Sequence, residues 1–266
     1  MQSKLILSTK LTTTGKTRLD KCFISPPFKL LPMPTQDPHW PQGLNVIQMS
    51  SSPGLLAGDN IDIEISLAKQ TALSLTTQAF TRIQSMNNEE YALQQTKINL
   101  AEGSRLFYLP HPLVLHKDCA FKQQTHINMA EGSTLIYAEI IATGRVLNNE
   151  RFAFRHFASH LKIYFQHQPL LYDCIQWLPN EMNLTALSQM EDYSHQGSLV
   201  YLHTDKSAID IKQILSEIRH YLPPQDVILS GISQLNESGL ILRVLAHRAD
   251  VIQSLFEHLG ALLKEA

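Results

Sequence analysis

TKINLAEGSRLFYLP (residues 96–110) and THINMAEGSTLIYAE (residues 125–139) are two copies of one pattern, about thirty residues apart. A fainter copy, EISLAKQTALSLTTQ, covers residues 64–78. Each copy is a short alternating strand, a turn and a second strand. Chance similarity between turns is the competing reading. A pattern that returns at a fixed period instead predicts stacked units that share one continuous core.

Outward from the repeat, strand signals dominate. Ile61, Ile63, Ile65 and Leu67 face one way, and Asp62, Glu64 and Ser66 the other. Pro53-Gly54 and Gly58-Asp59 punctuate the approach to that strand. Residues 152–165 and 170–178 continue with aromatic and β-branched content, while Pro26-Pro27 and residues 32–42 read as loops. From about residue 198 the period changes. Residues 198–203 read as a strand, and residues 207–222 as a helix carrying Ile211, Ile214, Leu215, Ile218 and Leu222, stopped by Pro223-Pro224. Two strands joined by residues 236–239 follow. A last helix over 249–264 stacks Val251, Ile252, Leu255, Phe256, Leu259 and Leu262 on one stripe. The expectation is one domain over residues 1–266, with a mainly β body (about 1–197) and a small α+β tail (about 198–266) carrying two helices.

Composition removes several function classes. Hydrophobic residues make up 44% of 266 residues, enough for a substantial core. With 22 Lys plus Arg against 24 Asp plus Glu and no basic block, nucleic-acid binding through counterion release is not expected. No apolar run reaches the roughly 20 residues that span a bilayer, and MQSKLILSTKLTTTGK lacks the apolar core of a signal peptide. Cys22, Cys119 and Cys174 are an odd count without ligand spacing, which fits a reduced cytoplasm.

No nucleophile elbow, phosphate loop, dinucleotide fingerprint or HExxH motif occurs. His156 and His160 would share a strand face as a metal pair or as plainly solvated or bonded histidines; His111, in LPHPL, reads as a loop residue. Polar residues inside apolar strands are more informative. Glu139 lies in a stretch, residues 135–141, that is apolar on both faces, and burying a lone carboxylate costs several kcal/mol unless it is paired, protonated or wet. Arg145 is one candidate partner across the turn. Thr76-Thr77-Gln78 closes another apolar strand, and Asp173 sits in LLYDCIQWL. If such groups face one interior, they line a watered passage whose oxygens suit weak, transient contact with a hard or borderline divalent cation.

SPPFKL (25–30), SPGLLAGD (52–59), LTTQAFTRI (75–83), LPHPL (109–113), YAEIIATGR (137–145) and LRVLAHRAD (242–250) occur in order. Together they resemble the UreD family of urease accessory proteins, called UreH in some organisms. The resemblance implies a helical-β (β-solenoid-like) body and a non-enzymatic maturation chaperone. Such a chaperone binds UreF, through it the GTPase UreG, and docks on apo-urease. It also implies nickel in transit through an interior tunnel to the urease site, where a lysine is carbamylated and two nickel ions are installed. The candidate path is Asp59 (in the family's GD motif), Glu64, Thr77, Gln78, Glu139, Arg145 and Asp173. No His or Cys cluster suited to storing nickel is present, so no tightly bound cofactor is expected. The alternatives are a β-helical polysaccharide-active enzyme, which two tryptophans and the missing leader disfavour, and a generic β-rich interaction module.

Overall fold

A computed structural model describes residues 1–34, 37–87, 89–205 and 210–265. Four strands open the chain: β1 (Gln2–Leu11), β2 (Thr17–Ile24), β3 (Phe28–Met33) and β4 (Leu44–Ser50). The repeat follows as β5 (Asn60–Leu67) with β6 (Ala72–Thr77), then, after the short β7 (Thr81–Ile83), as β8 (Ala92–Leu100) with β9 (Arg105–Leu109). The short β10 (Leu113–Leu115) precedes the last copy, β11 (Ala120–Met129) with β12 (Thr134–Ala142). β5, β8 and β11 pair in parallel in one sheet, and β6, β9 and β12 in parallel in another. The register sets Ile65 beside Ile98 and Ile98 beside Ile127, so equivalent residues of successive copies stack. This is a β-solenoid-like coil.

The turn explains why the copies look alike. Thr71, Ser104 and Ser133 donate their hydroxyls to the carbonyls of Ala68, Ala101 and Ala130, each at 2.7 Å. Gly103 and Gly132 sit at φ +64° and +63°, where an L side chain is strained; Gln70 holds the same seat at φ +58° in the fainter copy. The turns also bond to one another, Gln70 N–H to Glu102 O at 3.0 Å and Gly103 N–H to Glu131 O at 2.9 Å.

Two further strands, β13 (His156–Phe165) and β14 (Gln168–Trp177), extend the first sheet to the order β14-β13-β11-β8-β5-β1-β2. The tail adds β15 (His195–His203), α1 (Ile211–Tyr221), β16 (Leu229–Leu235), β17 (Gly239–Ala246) and α2 (Ala249–Glu265). Its strands join the second sheet, in the order β16-β17-β15-β12-β9-β6-β4-β3, with β7 and β10 attached beside β12. Tail and body therefore share one hydrogen-bonded sheet. Inner-face Leu75, Leu106 and Leu135 meet Ile63, Ile98 and Ile127 of the first sheet. Outer-face Ile136, Ala138, Ile140 and Tyr201 are covered by the helices. Because both faces of β12 are covered, it reads as a continuous apolar run, whereas β5, open to solvent on one face, alternates.

Asp210 caps α1, its carboxylate accepting the N–H groups of Lys212 (3.0 Å) and Gln213 (3.2 Å). The earlier start expected at Ser207 lies outside the described residues. Pro32 and Met33, expected in a loop, end β3; it is an edge strand, where a missing N–H is tolerated. The strand expected from residue 152 begins at His156. No helix among the described residues is long and apolar enough to cross a membrane.

Gly197 on β15 marks a close approach of α2 to the sheet. A Cβ there would meet Ile252 Cγ2 at 2.5 Å and Phe256 Cζ at 2.8 Å. Gly197→Ala is expected to destabilise the protein by about 1–3 kcal/mol, because the helix must back away from the sheet. A denaturant midpoint reads this directly, and an unchanged midpoint would show that α2 is not seated on Gly197.

Candidate functional site

The inner faces of the two sheets are not uniformly apolar. On the first sheet Gln94, Gln123 and Ser159 are registered neighbours on β8, β11 and β13, with Thr96 beside Thr125 one step further along. On the second sheet Gln48 lies beside Thr77, and Glu139, Ser198 and Arg243 form a row across β12, β15 and β17. Between these rows lies a cavity of about 50 Å³ lined by Gln48, Thr77, Gln94, His111, Gln123 and Glu139, among others. A second cavity of about 160 Å³ shares Gln48, Thr77, Thr81 and Gln94 with it and adds Met1, Asp59, Gln78 and Arg82. The two form one polar seam from the Asp59 end of the coil inward to Glu139.

Glu139 is the single residue of β12 that is not fully buried, because its carboxylate edge reaches the cavity. Gln123 Nε2 donates to Glu139 Oε1, and Ser159 Oγ donates to Oε2 at 3.2 Å. Gln123 Nε2 also lies 2.9 Å from Ser159 Oγ, so the three side chains form a closed cluster. No cation among the described residues pairs with this carboxylate. Burial pushes its pKa up to about 7; the bonds from Ser159 and Gln123 oppose the shift, and the charge of Asp173 adds to it. Tyr108 and Tyr137 line the same cavity. Burial, with the charge of Glu139 adding to it, raises the Tyr108 hydroxyl to about 12 and shifts Tyr137 upward as well.

The remaining candidates fall into three groups. Thr77 is buried in the seam, and Gln78 is exposed at its mouth. Asp59 is buried at the same mouth, where Oδ2 accepts the Leu56 N–H at 2.8 Å and Oδ1 lies 2.8 Å from the Met1 amino group. Asp173 stands beyond Glu139, where Arg243 Nη2 donates to Oδ1 at 2.7 Å; Ser198, between Glu139 and Arg243 in register, has a buried Oγ with no partner among the described residues. Glu64 and Arg145 are corrections to the sequence reading. Glu64 projects from the solvent face of the first sheet and pairs with Lys4 at 2.9 Å. Arg145 leaves β12 past the turn, and its Nε donates to Glu150 Oε2 at 2.7 Å, so it is not the partner of Glu139. His156 and His160 lie on β13 positions of opposite phase to the inward Ser159. Among the described residues no group of three or more His, Cys, Asp or Glu side chains is placed to hold a metal ion.

Residues 2–266 match the family model described as UreD urease accessory protein. The chain belongs to the UreD family. It is 65% identical to the urease accessory protein UreD of Actinobacillus pleuropneumoniae serotype 5b (strain L20) over 264 residues, covering 99% of this chain and 98% of that one. It is 62% identical to the urease accessory protein UreD of Haemophilus influenzae (strain 86-028NP) over 269 residues, covering 99% of each.

For this UreD-family chain, sequence reasoning missed Gln48, Gln94, Gln123, Ser159 and His111 as seam residues. A signal for two of them was present. Gln94 and Gln123 stand four residues before Ile98 and Ile127 and so share their inward phase, at the same step of successive copies. Polar residues repeated at an inward phase mark positions where a stacked coil must satisfy buried hydrogen-bonding groups.

Proposed function

We propose that this chain is a non-catalytic urease maturation chaperone that joins a UreF-like protein and a UreG-like GTPase to apo-urease and passes nickel along the seam between its sheets. The observation that carries the reading is Glu139, a carboxyl at the inner end of a polar cavity with neutral hydrogen-bond donors and, among the described residues, no cationic partner. A structural carboxylate in an apolar strand would be expected to have an arginine or lysine beside it. A carboxyl with a pKa near 7 instead carries a proton about half the time at neutral pH and exchanges it for an entering divalent cation. The amide and hydroxyl oxygens along the seam add weak contacts of the kind that transit requires. The absence of a catalytic motif supports a role without turnover, and the family's character as urease accessory proteins supports the choice of cargo and partners.

The test is reconstitution. The full chain, its UreF-like and UreG-like partners and apo-urease are expected to co-elute on size exclusion at micromolar concentration. Nickel per urease active site should rise only when all are present. Elution of the chain apart from the UreF-like protein would refute the partner assignment. Equal nickel loading without this chain would refute the delivery role.

A further inference from the structure

Glu139 explains the inner end of the seam, but the junction of the two cavities contains an unexplained polar atom. Gln48 is 9% exposed and lines both cavities, and its Oε1 is buried with no hydrogen-bond partner among the described residues. A buried orphan acceptor costs about 1–3 kcal/mol and calls for water or a cation. Gln48 stands beside Thr77 in the register of β4 and β6. Thr77 in turn seats His111: Thr77 Oγ1 accepts the His111 backbone N–H at 2.8 Å and lies 3.5 Å from the ring Nδ1. Prolines 110 and 112 restrict the backbone on either side of that histidine. In the tautomer whose Nδ1–H donates to the threonine hydroxyl, the lone pair is on Nε2, which no hydrogen bond or ion pair among the described residues engages.

We propose that His111 Nε2 and Gln48 Oε1 form a holding site for a borderline divalent cation where the two cavities meet, one step before Glu139. The assignment of nickel as its cargo rests on the passage reading above. The site adds what Glu139 cannot supply. A path of carboxylate, amide and hydroxyl oxygens also suits abundant magnesium and calcium, whereas an imidazole nitrogen favours nickel, copper and zinc. His111 therefore selects the cation, and Glu139 moves it on. A site with one nitrogen donor and neutral oxygens is also weak enough to release its cargo.

The experiment uses the full chain labelled on histidine with 13C and 15N, titrated with nickel sulfate and followed by paramagnetic broadening of the imidazole signals. The His111 signal is identified by its loss in His111→Gln. It is expected to broaden at nickel concentrations at least about tenfold below those that broaden exposed His167, as loss or gain of one ordered ligand implies. A tenfold excess of magnesium should not restore it. His111→Gln should melt normally, bind its partners, load urease with nickel about tenfold more slowly and become sensitive to magnesium. Broadening of His111 no earlier than His167, or its reversal by magnesium, overturns the site. Early broadening combined with normal urease loading in both His111→Gln and Glu139→Gln would retain the site and remove the passage.

Discussion

Glu139→Gln is expected to fold at least as well as the parent chain, to keep its partners and to load urease with nickel at least about tenfold more poorly, no less than losing a group that only supports a metal ligand. Folding should survive because Arg145 is engaged by Glu150, so the substitution leaves no stranded cation. The Gln123 amide can turn over and present its oxygen to the new NH₂ group. The pH dependence gives a second, independent reading. The carboxyl titrates near 7 in the fold against its ordinary 4.5 in an unfolded chain. Between these values the folded state holds a proton that the unfolded state has lost, so this group's contribution to stability is greatest below about 4.5 and falls as pH rises toward 7. The loss is on the order of 3 kcal/mol by linkage, and cavity water makes it smaller. Glu139→Gln should remove this slope, so the variant's advantage in melting temperature grows from pH 5 to pH 8. Unchanged nickel loading in a stable complex would take Glu139 out of the path. An unchanged pH slope would show that the carboxyl is ionised in the fold by a partner or by bulk-like water.

Lys264→Ala is expected to cause the largest loss of stability, about 3–5 kcal/mol, because it breaks a buried ion pair and leaves the acid behind. Lys264 and Asp37 are 9% and 11% exposed, and Nζ lies 2.5 Å from Asp37 Oδ2 and 3.0 Å from Ser74 Oγ. The ammonium also stands 4.4 Å and 4.9 Å from the ring centres of Phe107 and Trp40. Burial pushes the Asp37 carboxyl up, but the bond and charge of Lys264 and the N–H groups of His39 and Trp40 together hold it below its usual value. This contact ties the end of α2 to the loop before β4 and to β6. Its loss should lower the melting temperature by roughly 10 °C for a chain of this size. Asp37→Leu combined with Lys264→Met should recover most of that loss, since both charges leave together. A drop of under about 1 kcal/mol for Lys264→Ala would mean that the pair is solvated like a surface salt bridge.

The fold was legible where local chemistry repeats. The AEGS turns demand a left-handed residue and a hydroxyl that bonds back three residues, and those needs are written in consecutive letters. The change of period after residue 198 and the Pro223-Pro224 stop located the helices. Glu139 was conspicuous for the same reason, a charge in a strand whose two apolar faces announce burial. Which face looks inward was not local. The alternation in β5 separates Ile63 from Glu64, but only the second sheet lying over Ile63 makes that face the interior and leaves Glu64 with Lys4 in solvent. Arg145 is near Glu139 in sequence, yet the turn after β12 directs it to Glu150. Gln48, Gln123, Ser159 and His111 come from four separate segments and acquire meaning only when the sheets face each other. A residue's phase along its strand is set by the strand's period of two, which any single strand carries. The neighbours across a cavity are set by how the coil closes, which no single strand contains.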